Sequence, residues 1–129
     1  MKILCVDFDG VIHSYISGWK GVERVDDPPT PGAMQFLLDA MEHFDVCIYS
    51  SRSKERIGIE AMKSAIHRWY CEDLGFDGDD ADDFMARLSF PTQKPAAFLT
   101  IDDRCIRFDG HFPDPEVLTK FKPWNVSNA

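Results

Sequence analysis

Three short apolar runs, Ile3–Val6, Val46–Tyr49 and Ala96–Ile101, constrain the fold of this chain more than any other feature. Each is of strand length, and the first is too apolar for a strand with one wet face. Helical patterns lie between them. Thr30-Pro31 reads as a helix start, with Thr30 as N-cap and Pro31 in the first turn. That helix runs to about His43 and buries Met34, Leu37, Leu38 and Met41. A second runs from about Glu55 to Cys71, with Met62, Ala65, Ile66 and Trp69 on its stripe. A short helix with an acidic first turn follows over Asp79–Arg87, and Asp114-Pro115 starts a last one through Phe121. Leu88–Phe90 and Cys105–Phe108 read as minor strands. Strands alternating with helices predict an α/β fold, a three-layer Rossmann-like arrangement with a mostly parallel sheet covered on both faces.

The 129 residues suit one domain, 1–129, with an irregular stretch over about 11–29. The four cysteines form no C-x-x-C pair, and two lie inside strand-like runs, which predicts a reduced, cytoplasmic protein without structural zinc or disulfides. No apolar stretch approaches the ~20 residues that span a bilayer, and the first run breaks at Asp7, too soon for a signal peptide. No membrane partner is expected. A net charge of −8 argues against broad affinity for nucleic acid, without excluding a local basic pocket. Much of the acidity sits in Asp77, Asp79, Asp80, Asp82 and Asp83, where Ala81 interrupts any EF-hand spacing. A solvated helix start explains that cluster better.

The residues that close the apolar runs carry the chemistry. The first run leads into Asp7-Phe8-Asp9-Gly10. Residues i and i+2 of an extended backbone project to the same side, so both carboxylates reach one point beyond the strand end. Open α/β sheets place ligands there. Two acids this close repel unless a cation sits between them or one holds a proton. The second run ends in Ser50-Ser51-Arg52, the late one in Asp102-Asp103, and Lys94 lies just upstream of it. Phosphoryl transfer needs a nucleophile, a proton donor and positive charge around the equatorial oxygens. Aspartate serves as nucleophile, a second carboxylate as acid then base, and Mg²⁺ takes oxygen ligands.

With those residues in that order, the chain resembles the haloacid dehalogenase (HAD) superfamily. Asp7-Phe8-Asp9-Gly10 matches its first motif, Ser50 its second, Lys94 its third and Asp102-Asp103 its fourth; the resemblance covers about residues 2–110. It implies a Mg²⁺-dependent phosphomonoester hydrolase with Asp7 as nucleophile and Asp9 as acid/base. The Asp7 carboxylate, the Asp9 carbonyl and Asp102 would bind the metal, with Asp103 binding through water or orienting Lys94. Ser50 and Lys94 would hold phosphoryl oxygens, and Ser51 replaces Ser50 if the strand is one residue longer. An Asp at position 9 is the phosphatase form of the motif.

Plainer readings stand beside these. Ser50 alone reads as a turn or N-cap residue, and Lys94 before a proline as solvated. Arg52 and Arg104 either touch a substrate anion or form surface ion pairs. His13, Tyr15 and Trp19 lie in what the resemblance makes a flap, either touching substrate or packing the flap down. A receiver domain has a different motif order, with its phospho-accepting Asp after a middle strand. A non-catalytic binding module remains an alternative. Little room is left for a cap domain. The substrate expected is a nucleotide or other small phosphate, with a nucleic-acid or phosphoprotein end as the alternative.

Overall fold

The computed structural model describes residues 1–125. It is an α/β structure around a three-stranded parallel sheet in the order β2-β1-β3, formed by β1 (Ile3–Val6), β2 (Asp45–Ile48) and β3 (Leu99–Ile101). Val6 pairs with Ile48 on one side and Ile101 on the other. The three strands therefore end level, and Asp7, Tyr49 and Asp102 leave the sheet at one edge. Ser89 bridges to Cys47 in parallel on the outer side of β2. The expected Leu88–Phe90 strand shrinks to that single residue.

Leu4, Val6, Val46 and Ile48 alternate onto one sheet face and cluster with Met34 and Leu37 of α1 (Ala33–Ala40). Met62 and Ile66 of α2 (Arg56–Leu74) and Phe84 of α3 (Gly78–Ala86) complete this core. Full burial of each such side chain contributes roughly 1.5–3 kcal/mol against exposure. α2 runs three residues past its expected end and stops at Gly75, whose φ of 72° is left-handed, with its N–H on the Cys71 carbonyl. Asp77 caps α3 by accepting from the Asp80 N–H, and Asp79 and Asp80 fill its first turn. The opposite sheet face carries Cys5 and Cys47, register partners that are both buried; burial pushes the Cys47 thiol up to about 12. All four cysteines are free. Residues 90–98 return from Ser89 to β3 without a helix.

Other boundaries differ from the sequence reading. Gly32, at φ 84°, is the N-cap of α1, and the Thr30 hydroxyl is buried without a hydrogen-bond partner. Thr30 is instead tied by its backbone, its N–H to Ile12 and its carbonyl to Ala33. α1 ends at Ala40, three residues before His43. Cys105–Phe108 forms no strand, and Ile106 and Phe108 are exposed. α4 (Pro115–Leu118) starts at the Asp114 cap as expected and stops short of Phe121. The chain then returns to the strand edge: the Trp124 indole N–H donates to the Gly10 carbonyl at 2.6 Å, and the Asn125 amide donates to the Ser14 carbonyl at 2.9 Å. Among the described residues, no helix is long and apolar enough to cross a membrane.

Candidate active site

Because β1 and β3 are neighbours that end level, Asp7 and Asp102-Asp103 meet. One carboxylate oxygen from each of Asp7, Asp102 and Asp103 lies within 4.8 Å of the others. Gly10 makes room for this. Its φ is 84°, and a Cβ there would collide with the Asp103 carboxylate, so the turn after Asp9 needs glycine. The Asp103 side chain is only 3% exposed, and its Oδ2 is buried with no hydrogen-bond partner; the nearest cation is Arg104 Nε at 3.7 Å.

Three like charges at this spacing repel by on the order of 3 kcal/mol per pair at an effective dielectric of ~20, less where water screens the exposed Asp102. Burial, then the Asp102 charge, push Asp7 up to about 8. Burial and then the neighbouring Asp102 carboxyl raise Asp103. An all-oxygen cluster with an orphaned buried carboxylate oxygen has the donor set that a hard divalent cation takes. The Asp9 carboxylate is not a member of that cluster.

Asp9 is held elsewhere. Arg52 Nε donates to its Oδ2 at 2.8 Å, and His13 Nδ1 meets its Oδ1 at 2.8 Å. His13 Nε2 accepts from the Asp27 backbone N–H at 3.1 Å, which places the ring proton on Nδ1, facing Asp9. Burial would raise Asp9, but the bonds from His13 and Arg52 and the Arg52 charge outweigh it, holding the carboxyl below its usual range. Arg52, read from sequence as a substrate contact or surface pair, is 1% exposed. It also reaches the 11–29 segment: Nη1 donates to the Val22 carbonyl at 2.7 Å, and the guanidinium lies 4.9 Å from the Trp19 ring centre. The Phe8 ring centre is 5.7 Å from the guanidinium. Gly58 permits this packing, since a Cβ there would collide with the Arg52 carbonyl.

Ser50 is the N-cap of the 3₁₀ turn Ser51–Lys54. Its Oγ accepts from the Arg52 N–H at 3.0 Å, and the Ser53 hydroxyl in turn accepts from the Ser50 N–H at 3.0 Å. Ser51 is exposed at the mouth. A cleft of about 260 Å³ lined by Asp7, Ser50, Ser51, Lys54, Lys94, Thr100 and Asp102 brings Lys94 to the acids. A second cleft of about 370 Å³ opens beside it, lined by Asp7, Asp9, Tyr15, Trp19, Ser51, Asp102, Asp103 and Arg104.

Of the flap residues, His13 is buried while Tyr15 and Trp19 line the cleft. Two features lie outside the sequence reading: the place of Lys54 in the cleft and the bond of His13 to Asp9. Lys54 stands three positions after Ser51, one turn of the 3₁₀ helix, which was its available signal. His13 as a partner of Asp9 was signalled only by its offset of four residues in a segment without periodicity.

Comparisons with models of known families, with curated proteins and with solved structures found no match to this chain.

Proposed function

We propose that the chain is a Mg²⁺-dependent phosphomonoester hydrolase that works through an aspartyl-phosphate on Asp7, as its resemblance to HAD phosphatases implies. The three-layer Rossmann-like arrangement belongs with this proposal. One observation supports the reading most: Asp7 stands at a strand end within 4.8 Å of two further carboxylates, beside a cleft that holds Lys94 and Ser51. The substrate is a small phosphate, nucleotides included; a chain of net charge −8 disfavours nucleic-acid ends.

In the first step an Asp7 oxygen attacks phosphorus in line, forming the acyl phosphate as the ester P–O bond breaks. The leaving oxygen takes a proton from Asp9. In the second step Asp9 removes a proton from water, which attacks the same phosphorus and frees Asp7. The ionised Asp9 held by Arg52 and His13 matches the base half of this cycle. The acid half requires Asp9 to be released from these donors and protonated. Ser51 and Lys94 hold phosphoryl oxygens. Asp7, Asp102 and Asp103 would hold Mg²⁺, which when bound offsets their repulsion and the phosphoryl charge.

Purified protein should release phosphate from p-nitrophenyl phosphate with Mg²⁺, and excess EDTA should abolish release. Asp7→Asn should stop turnover while keeping the far-UV circular dichroism of the parent. Undiminished turnover in that variant would sink the assignment of Asp7.

A further inference from the structure

We infer that the site takes small phosphomonoesters whose alcohol carries a planar ring, with Trp19 as the platform on which that ring stacks. The inference rests on the phosphatase reading above and names its substrate class.

The two clefts share Asp7, Ser51 and Asp102, so they are two lobes on either side of the proposed nucleophile. One lobe contains Lys54 and Lys94 and suits phosphoryl oxygens. The other receives the leaving alcohol, and its walls are of a different kind. Tyr15 and Trp19 supply the apolar surface, Asp7, Asp9, Asp102 and Asp103 the acids, and Arg104 a cation. Four carboxylates disfavour a second anionic group on the alcohol. An uncharged ring, with a π-face for the aromatic walls, fits them.

Trp19 is built for this. The residue is 50% exposed, yet Arg52 braces its ring at 4.9 Å, and Arg52 is itself fixed by Asp9 and the Val22 carbonyl. The result is an indole backed by a fixed guanidinium beside the acids. Tyr15 adds an independent observation. It is the only non-glycine residue with positive φ, 60°, among the described residues. A left-handed backbone in a residue of this size is uncommon and concentrates at ligand clamps. Ser14 braces it from one side by donating from both its N–H and its hydroxyl to the Pro28 carbonyl, and the Gly18 N–H donates to the Tyr15 carbonyl at 3.2 Å. The cleft, about 370 Å³, lies within the range of small-molecule pockets, roughly 300–1,000 Å³.

The test compares AMP with ribose 5-phosphate, which share a leaving group and differ in the ring. Wild-type protein with Mg²⁺ should prefer AMP at least tenfold in kcat/KM. Trp19→Ala should reduce that preference about tenfold, through KM, and Trp19→Phe should keep most of it. Equal kcat/KM for the two substrates in the wild type, or an unchanged preference in Trp19→Ala, would overturn the inference and leave the phosphatase reading standing. If neither substrate nor p-nitrophenyl phosphate is hydrolysed, the phosphatase reading fails. The platform is then judged by tryptophan fluorescence: AMP should quench the wild type and not Trp19→Phe, and equal quenching of the two would overturn it.

Discussion

The Arg52 guanidinium donates from Nε to the Asp9 carboxylate at 2.8 Å, across 43 residues of sequence and with Arg52 almost entirely removed from water. The pair joins the loop after β1 to the turn after β2, and through the Val22 carbonyl it also holds the 11–29 segment. Removing one member of a buried ion pair strands the other charge, which typically costs 3–5 kcal/mol. Arg52→Ala should therefore lower unfolding free energy by about 3 kcal/mol in a urea titration, with Arg52→Lys recovering part of it. A loss below about 1 kcal/mol would show that the pair does not anchor the flap.

The acid cluster makes stability depend on pH in a particular direction. Asp7 titrates near 8 in the fold against about 3.8 in the unfolded chain, so the folded state holds a proton that the unfolded state has released. By linkage, metal-free stability should fall as pH rises from about 4 to about 8 and then level off. Asp7→Asn should flatten that slope. Added Mg²⁺ should raise Tm more at pH 8 than at pH 6, because protons compete for the same oxygens. Calorimetric scans at both pH values, with and without Mg²⁺, measure all three.

Ser50 and Ser51, adjacent in sequence, should separate cleanly on mutation. Ser50 caps a turn and is buried, so Ser50→Ala should cost about 1 kcal/mol of stability. Ser51 is exposed in both lobes of the cleft. Ser51→Ala should leave stability within about 0.5 kcal/mol and lower kcat/KM for p-nitrophenyl phosphate roughly tenfold. Reversed effects would make Ser50 the phosphoryl contact.

Gly10→Ala tests the geometry of the cluster without replacing a carboxylate. The new methyl must displace the Asp103 side chain and sit at φ 84°. Mg²⁺ binding, followed by isothermal calorimetry, should weaken more than tenfold, with about 1 kcal/mol lost from metal-free stability. Unaltered binding would remove Asp103 from the proposed metal site.

Much of this was legible in the sequence because strand ends and helix stripes are local signals. Asp7 and Asp102 follow apolar runs, and a parallel sheet whose strands end level has to bring them together. Lys94 had no local signal beyond its place before the late strand, yet it lines the cleft with Asp7. The lock on Asp9 was not legible. It depends on Arg52 reaching across from another strand end and on His13 being turned by Asp27, and neither leaves a periodicity. Thr30 failed as a cap because Gly32 starts the helix in a left-handed conformation, and cap preference alone does not register the later turn. Cys105–Phe108 has strand-like composition, but the described residues place no neighbour beside it to take its backbone groups.

The bond from Trp124 to the Gly10 carbonyl joins residues 114 positions apart. In kinetic terms it is among the most expensive contacts to close, since the entropy of bringing chain segments together grows with the length between them. The β1–β2 pairing, about 42 residues apart, and the helices packed on it rest on shorter-range contacts and can form ahead of it. A refolding experiment that follows secondary structure and Mg²⁺ affinity together should therefore find two clocks, with the turn behind Asp7 and Asp9 brought to its final shape only on the slower one.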